Sequence, residues 1–301
     1  MLKYYLWALT EKTASYVPFG RSAALTTCDF LSRYRGECPS FTSTFRAVRK
    51  VRELVPDGGK VLDFGTGWFH HDAFLIYLLG DYTTYLCDIE DRGDLRAIQN
   101  YLRTLTSHRD EVCAGLGISP EEFDRKIAPV RQLGSREAIY RHCHFVPCIA
   151  PHPERPFLPP DSIDFMVGSC VLNHIPPAVL ATELRSLRSA LKDDGRMCFL
   201  IGHEDHWAFH DSSVNKFNFY RYSDAYYRRF FETNFEYHNR MVKAEWYDLF
   251  REVPLTVEGY SSVATESTRS EIDRLPRIDP RFARYPREDL AAMYSYFLLA
   301  K

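Results

Sequence analysis

The chain has 301 residues, of which 45% are hydrophobic and 26% charged, the balance of an ordinary globular protein with room for one large α/β domain or two small ones. A net charge of -2 and a pI near 6.6 exclude a general attraction to phosphate backbones or anionic lipid, so neither nucleic acid nor a membrane is an expected partner. The eight Cys contain no C-x-x-C pair and no zinc-ligand spacing, which argues against a structural metal and fits reduced thiols in a cytoplasmic protein.

The first 56 residues read as helical, with breaks at Pro18-Phe19-Gly20 and at Gly36 to Ser40. The apolar stretch Tyr4 to Leu9 is too short to span a bilayer and lacks a small-residue cleavage site, so neither an anchor nor a signal peptide is expected. Phe41, Phe45, Val48, Val51 and Val55 form a helical stripe, which Pro56-Asp57-Gly58-Gly59 stops.

The run Val61-Leu62-Asp63-Phe64 then reads as a strand entering the loop Gly65-Thr66-Gly67. Phe69 to Leu79 reads as a helix ending at Gly80, and Thr83 to Asp88 as a second strand. Strand, glycine loop, helix and strand make a βαβ module and predict a parallel sheet. Asp91 to Tyr140 is helical and polar, broken at Gly115 to Pro120 and at Gly134, and is longer than one crossover needs, hence an insertion of helices over 107–142. His144 to Ile149 is the third strand, and Ala150 to Pro160, with five Pro, is loop. Ile163 to Gly168 is the fourth strand. Ala178 to Leu191 is a helix with the stripe Val179, Leu180, Leu184, Leu187 and Leu191, ended by Asp193-Asp194-Gly195, and Met197 to Ile201 is the fifth strand. A helix over Ala244 to Arg251 and strands over Leu255 to Val263 and Met293 to Leu299 complete the chain.

Glycines at Gly65 and Gly67 permit positive φ and a close approach of ligand to backbone. Ligands of open α/β sheets sit at the carboxyl ends of the strands, where the strand order reverses. The loop lacks the third glycine of G-x-G-x-x-G, with His70 in that place. Asp63, just before the loop, would repel a pyrophosphate but suits an ammonium or sulfonium. Asp88, 25 residues after Asp63, ends the second strand, where a carboxylate can accept both hydroxyls of a ribose. The alternative makes Asp63 and Asp88 plain strand-end turn residues.

These residues resemble class I S-adenosylmethionine-dependent methyltransferases. Val61 to Trp68 is similar to that family's motif I, and Tyr85 to Ile89 to its ribose-binding strand end. Asp164 to Ile175 is similar to its fourth-strand motif, and Leu187 to Phe199 to the helix-turn-strand that follows. The resemblance implies a doubly wound, mostly parallel Rossmann-like α/β sheet of seven strands, the last antiparallel, over residues 58–301, preceded by a helical N-terminal extension over 1–57. It implies that Asp63, Phe64, Gly65, Thr66, Gly67 and Trp68 form the loop at the methionine end of S-adenosylmethionine. Asp88 and Ile89 would hold ribose and adenine, with Ser169 and Cys170 beside the cofactor. One departure is that the third strand ends Val146-Pro147-Cys148-Ile149, with no acid for the adenine amine, which leaves backbone near Cys148 and Ile149 to hold it.

The substrate side follows from position. His174 ends the fourth strand, and His203 and His206 follow the fifth, so these three are the candidate bases that take a proton from an acceptor. The alternative for His174 is a helix-cap or packing role. His206 and His210 have metal-ligand spacing on a helix but no evident third ligand, so no metal is expected. The aromatic run from Phe217 to Phe230, within 203–240, reads as a lid, as a dimer surface or as helix packed on the sheet. No Asp/Asn-Pro-Pro-Tyr follows the fourth strand, which disfavours methylation of a planar base amine. The function expected is methyl transfer to an oxygen or nitrogen of a small molecule. The rivals are an NAD-dependent oxidoreductase and a methyltransferase-like binding subunit without catalysis.

Overall fold

The structure is a computed structural model that describes residues 2–16, 41–151, 157–233 and 237–301. The breaks expected at Pro18 to Gly20 and Gly36 to Ser40, and part of the proline-rich loop, lie outside the described residues.

The sheet has seven strands: β1 (Lys60–Phe64), β2 (Thr83–Asp88), β3 (Phe145–Ile149), β4 (Ile163–Ser169), β5 (Leu191–Gly202), β6 (Thr256–Val263) and β7 (Tyr294–Ala300). Their order is β3-β2-β1-β4-β5-β7-β6. β1 to β5 pair in parallel, and β7 runs antiparallel to both neighbours, the doubly wound Rossmann-like arrangement expected. The order reverses between β1 and β4, so their carboxyl ends open a crevice.

Alternation along the strands divides the core in two. Val61, Phe165 and Val167 face a layer that holds the helices Phe41–Leu54 and His71–Leu79 and the helical insertion. Leu62, Phe64 and Met166 face the other layer, filled by Leu180, Leu184 and Leu187 of the helix Pro177–Ala190 and by Trp246 and Phe250 of the helix Lys243–Glu252. The insertion is cut by its own caps: Asp94 accepts from the Ala97 N–H, Gly117 turns left-handed, and Ser119 and Glu122 form a capping box. Pro147 sits in β3, an edge strand, where its missing N–H leaves no central ladder bond unmade.

Two boundaries differ from the sequence expectation. The helix after the glycine loop starts at His71, because His70 takes a left-handed conformation with φ 57 and ψ 52. β5 starts at Leu191, and Asp193-Asp194-Gly195 lies within it. Leu191 pairs with Ile163 before a register shift brings Arg196 opposite Phe165, so an irregularity absorbs the polar residues that read as a turn.

A third core lies beyond the carboxyl end of β5. Phe217, Phe219, Tyr220 and Phe231 are buried there with Phe282, and Tyr4 and Ala8 of the N-terminal helix Leu2–Ser15 join them. Tyr4 donates its hydroxyl to buried Asp205 at 2.8 Å, which ties that helix to the segment after β5. The aromatic residues of 217–231 therefore fill an interior of their own, with Tyr226 and Phe230 exposed at its edge. No helix among the described residues is long and apolar enough to cross a membrane.

Candidate functional site

A cleft of about 960 Å³, open mouth included, lies at the crevice where the strand order reverses. Gly65, Asp88, Ile89, Ser169, Cys170 and His174 line it, and so does Phe64. These residues come from the carboxyl ends of β1, β2 and β4 and from the short 3-10 turn Leu172–His174.

The loop is shaped by its glycines. Gly65 and Gly67 have φ of +79° and +64°, and a Cβ on Gly65 would lie 2.4 Å from Val171 Cγ2. The backbone N–H groups of Gly65 and Thr66 both donate to the Cys87 carbonyl, at 2.8 and 3.1 Å, which stitches the loop to β2. The Gly67 N–H donates to Asp88 Oδ2 at 2.9 Å, and the Ile89 N–H donates to Asp88 Oδ1 at 2.7 Å. Trp68 lies under the Arg92 guanidinium, 5.3 Å from its ring centroid, and Arg92 also approaches Asp88 at 3.8 Å.

A buried relay supports the loop from beneath. Tyr140 donates to His70 Nε2 at 2.6 Å, His70 Nδ1–H donates to Thr66 Oγ1 at 3.0 Å, and Thr66 donates to Asp63 Oδ2 at 2.7 Å. Asp63 Oδ2 also accepts from the Ala73 N–H, and with Thr66 as its second donor the His70 tautomer is the one protonated at Nδ1. Burial pushes His70 down to about 4, consistent with the neutral ring the relay requires.

The electrostatics are one-sided. Burial pushes the Asp63 carboxyl well above its ordinary range, and the neighbouring Asp72 adds to the shift. Burial likewise raises Asp72 to about 6 and raises Asp88. No Lys or Arg pairs with Asp63 or Asp72 among the described residues; Asp63 is met only by the Thr66 hydroxyl and the Ala73 N–H. His71 stands 3.8 Å from Asp72 but is pushed down to about 3 by burial and stays neutral. The site thus gathers carboxyl groups that a ligand cation would complement.

Of the candidate bases, His174 lines the cleft and donates from Nδ1 to the Tyr237 carbonyl at 3.1 Å, which leaves Nε2 as its basic nitrogen. His206 lies behind it, with ring centroids 4.9 Å apart, and stacks on buried His238 at 4.1 Å. His203 is elsewhere: it is buried just past the end of β5 and against β7, its Nε2 is 2.9 Å from Ser295 Oγ, and burial pushes it down to about 4. His203 and His206 do not line the cleft. Asp63 lies beneath the loop, and Thr66, Gly67 and Trp68 complete the turn without lining the cleft. Cys148 sits opposite Cys87 in the β2–β3 register, also outside the cleft lining. The Cys170 thiol is pushed up to about 12 by burial, so it serves as a neutral wall. The His210 side chain lies outside what is described, and no group of three His, Cys, Asp or Glu among the described residues could hold a metal.

Sequence reasoning missed Glu183 and Tyr237, which also line the cleft. The one signal for Glu183 is its place three residues after Leu180, on the flank of the apolar stripe. Tyr237 carried no signal.

No family model matches the chain, and no curated protein matches it in sequence. Solved structures that are similar include a chain of the complex between the Haloferax volcanii Trm112 methyltransferase activator and a methyltransferase, with 13% identity, coverage of 93% of this chain and 96% of that one, and a TM-score of 0.48. A Burkholderia thailandensis 1,6-didemethyltoxoflavin-N1-methyltransferase with bound S-adenosylhomocysteine has 15% identity, coverage of 95% and 91%, and a TM-score of 0.48. A geranyl diphosphate methyltransferase in complex with S-adenosylmethionine has 9% identity, coverage of 96% and 94%, and a TM-score of 0.46. Likeness at this level carries no argument about what this chain binds or does.

Proposed function

We propose that the protein transfers a methyl group from S-adenosylmethionine to an oxygen or nitrogen of a small molecule. The observation that carries this reading is the pairing of a glycine loop at the strand-order reversal with Asp63 and Asp72, both buried and with no Lys or Arg partner among the described residues. A dinucleotide pyrophosphate brings negative charge to such a loop and would meet those carboxyls with repulsion. A sulfonium and an ammonium supply the missing positive charge, so the residues present fit S-adenosylmethionine.

In this reading Gly65 receives the methionine end, with Gly67 shaping the loop and Asp63 acting by charge from beneath it, Asp88 and Ile89 hold the ribose and adenine, and Ser169 and Cys170 wall the cleft. When bound, the cofactor supplies an electrophilic methyl group on a sulfonium. The protein's own part is alignment and proton removal. His174, oriented by the Tyr237 carbonyl, presents Nε2 as the base. His206 packs behind that ring, and His203, tied to Ser295, supports the wall between β5 and β7.

A ligand that binds only the native state raises the melting temperature. S-adenosylhomocysteine is expected to do so and NAD is not. Stabilisation by NAD without stabilisation by S-adenosylhomocysteine overturns the proposal.

A further inference from the structure

We propose that the methyl acceptor is an amine, held in the cleft as its ammonium by the carboxylate of Glu183 beside the ring of Tyr237, with His174 as the group that deprotonates it. This rests on the methyl-transfer reading and narrows it from oxygen or nitrogen to nitrogen.

The first ground is the isolation of Glu183. It lies on the helix Pro177–Ala190, lines the cleft with Val171 and Ile175, and makes no hydrogen bond or ion pair with any described residue. Burial alone acts on its carboxyl and pushes it up to about 7. A half-buried carboxylate without a partner has lost part of its hydration, and a cation or strong donor brought by a ligand offsets that loss.

The second ground is the charge of the whole cleft. Among the described residues, its lining carries the carboxyls of Asp88 and Glu183 against one guanidinium, Arg92. Arg92 approaches Asp88 at 3.8 Å and Glu90 at 4.0 Å, and covers the Trp68 ring. A carboxylate or phosphate acceptor would meet two carboxyls for one guanidinium among the described residues, which disfavours it relative to a cation. A neutral phenol would leave Glu183 without a counter-charge. An ammonium satisfies the carboxylate and gains a second contact where it meets the face of an aromatic ring, here Tyr237.

The chemistry balances. An ammonium nitrogen has no lone pair, so one N–H proton passes first to His174 Nε2 and leaves a neutral amine. The nitrogen lone pair then forms a bond to the methyl carbon as the carbon–sulfur bond breaks, and that electron pair stays on sulfur. The positive charge moves from sulfonium to the methylated nitrogen, and the released proton leaves through the imidazole.

The test uses the full chain saturated with S-adenosylhomocysteine and three probes of similar shape: benzylamine, phenol and benzoate. Ligand-observed NMR is expected to detect benzylamine alone. Glu183→Gln, which keeps the shape and removes the charge, is expected to weaken benzylamine about tenfold or more, the range for losing a charged hydrogen bond. Its affinity for S-adenosylhomocysteine should stay unchanged, which also shows that the variant folds. No benzylamine binding, equal binding by Glu183→Gln, or a preference for phenol or benzoate overturns this inference alone. Failure of S-adenosylhomocysteine to bind overturns the methyl-transfer reading with it.

Discussion

Asp88 reaches back from the end of β2 to accept the backbone N–H of Gly67 at 2.9 Å, so one carboxyl both closes the glycine loop and lines the cleft. Each of its oxygens already accepts one backbone N–H, from Gly67 and from Ile89, and each keeps a lone pair for a further donor. Replacing it with Ala removes the ligand contacts and frees the loop together. Asp88→Ala is expected to weaken S-adenosylhomocysteine binding by roughly 1.5–3 kcal/mol, the range for hydrogen bonds to a charged group. Titration calorimetry reads this directly. An unchanged dissociation constant removes Asp88 from the site.

Gly65 offers a test that separates crowding from backbone strain. Its φ of +79° disfavours any L side chain, and an added Cβ would lie 2.4 Å from Val171 Cγ2. Gly65→Ala is therefore expected to lower the melting temperature through a left-handed penalty of about 1–2 kcal/mol plus the clash. Val171→Ala in the same chain relieves the clash and not the φ, so it should restore part of the loss. Strict additivity of the two changes in thermal denaturation would show that the contact is not what limits position 65.

How far the sequence reaches is clear from these same residues. Asp63, Gly65, Gly67, Asp88, Ser169 and Cys170 belong to short contiguous motifs at strand ends, where apolar runs stop at glycine or acid, and local pattern suffices to find them. Glu183 and Tyr237 meet them only through tertiary packing: Tyr237 holds His174 across 63 residues of chain. The β5 boundary was hidden because Asp193-Asp194-Gly195 has turn chemistry and yet lies inside a strand with a register shift. The helices Glu266–Asp273, Pro280–Ala283 and Arg287–Leu290 escaped because each is short and is buried through few residues, such as Ile272, Phe282 and Leu290. A stripe needs more turns than that to show a period.

Asp205 gives a pH signature to the third core. It is buried, accepts from the Tyr4 hydroxyl and the Trp207 N–H, and burial pushes it up to about 7. A folded-state pKa above the unfolded value means that the native state holds the proton more tightly. This contribution to stability is full below an unfolded pKa near 4 and is lost as pH rises through about 7. Asp205→Asn lacks that dependence. The stability of the natural chain relative to the variant should fall between pH 4 and pH 7, by at most about 1.4 kcal/mol per pH unit. Buried His70, His71 and His203 slope the other way, because their pKa values are depressed, but they do so in both proteins and cancel in the difference. A difference flat across this range would mean that Asp205 is ionised throughout.

His174 and His203 make the sharpest comparison of a base with a support. His174 lines the cleft with its Nδ1–H fixed on the Tyr237 carbonyl, whereas His203 is buried against Ser295. Removal of a general base typically lowers turnover by about 10²–10⁴-fold. His174→Ala is expected to fall in that range with unchanged affinity for S-adenosylhomocysteine, since the imidazole is not assigned to the nucleoside. His203→Ala should instead lower the melting temperature, because it opens a cavity and leaves Ser295 short of a partner, with turnover changing only as far as the fold loosens. His174→Gln keeps a side chain of related reach that can still hydrogen-bond, but it cannot take the proton, so a positioning role would be rescued by it and a base role would not. Initial-rate kinetics beside thermal denaturation read both axes. Full turnover in His174→Ala and His174→Gln would leave catalysis to alignment alone, with the proton lost to water.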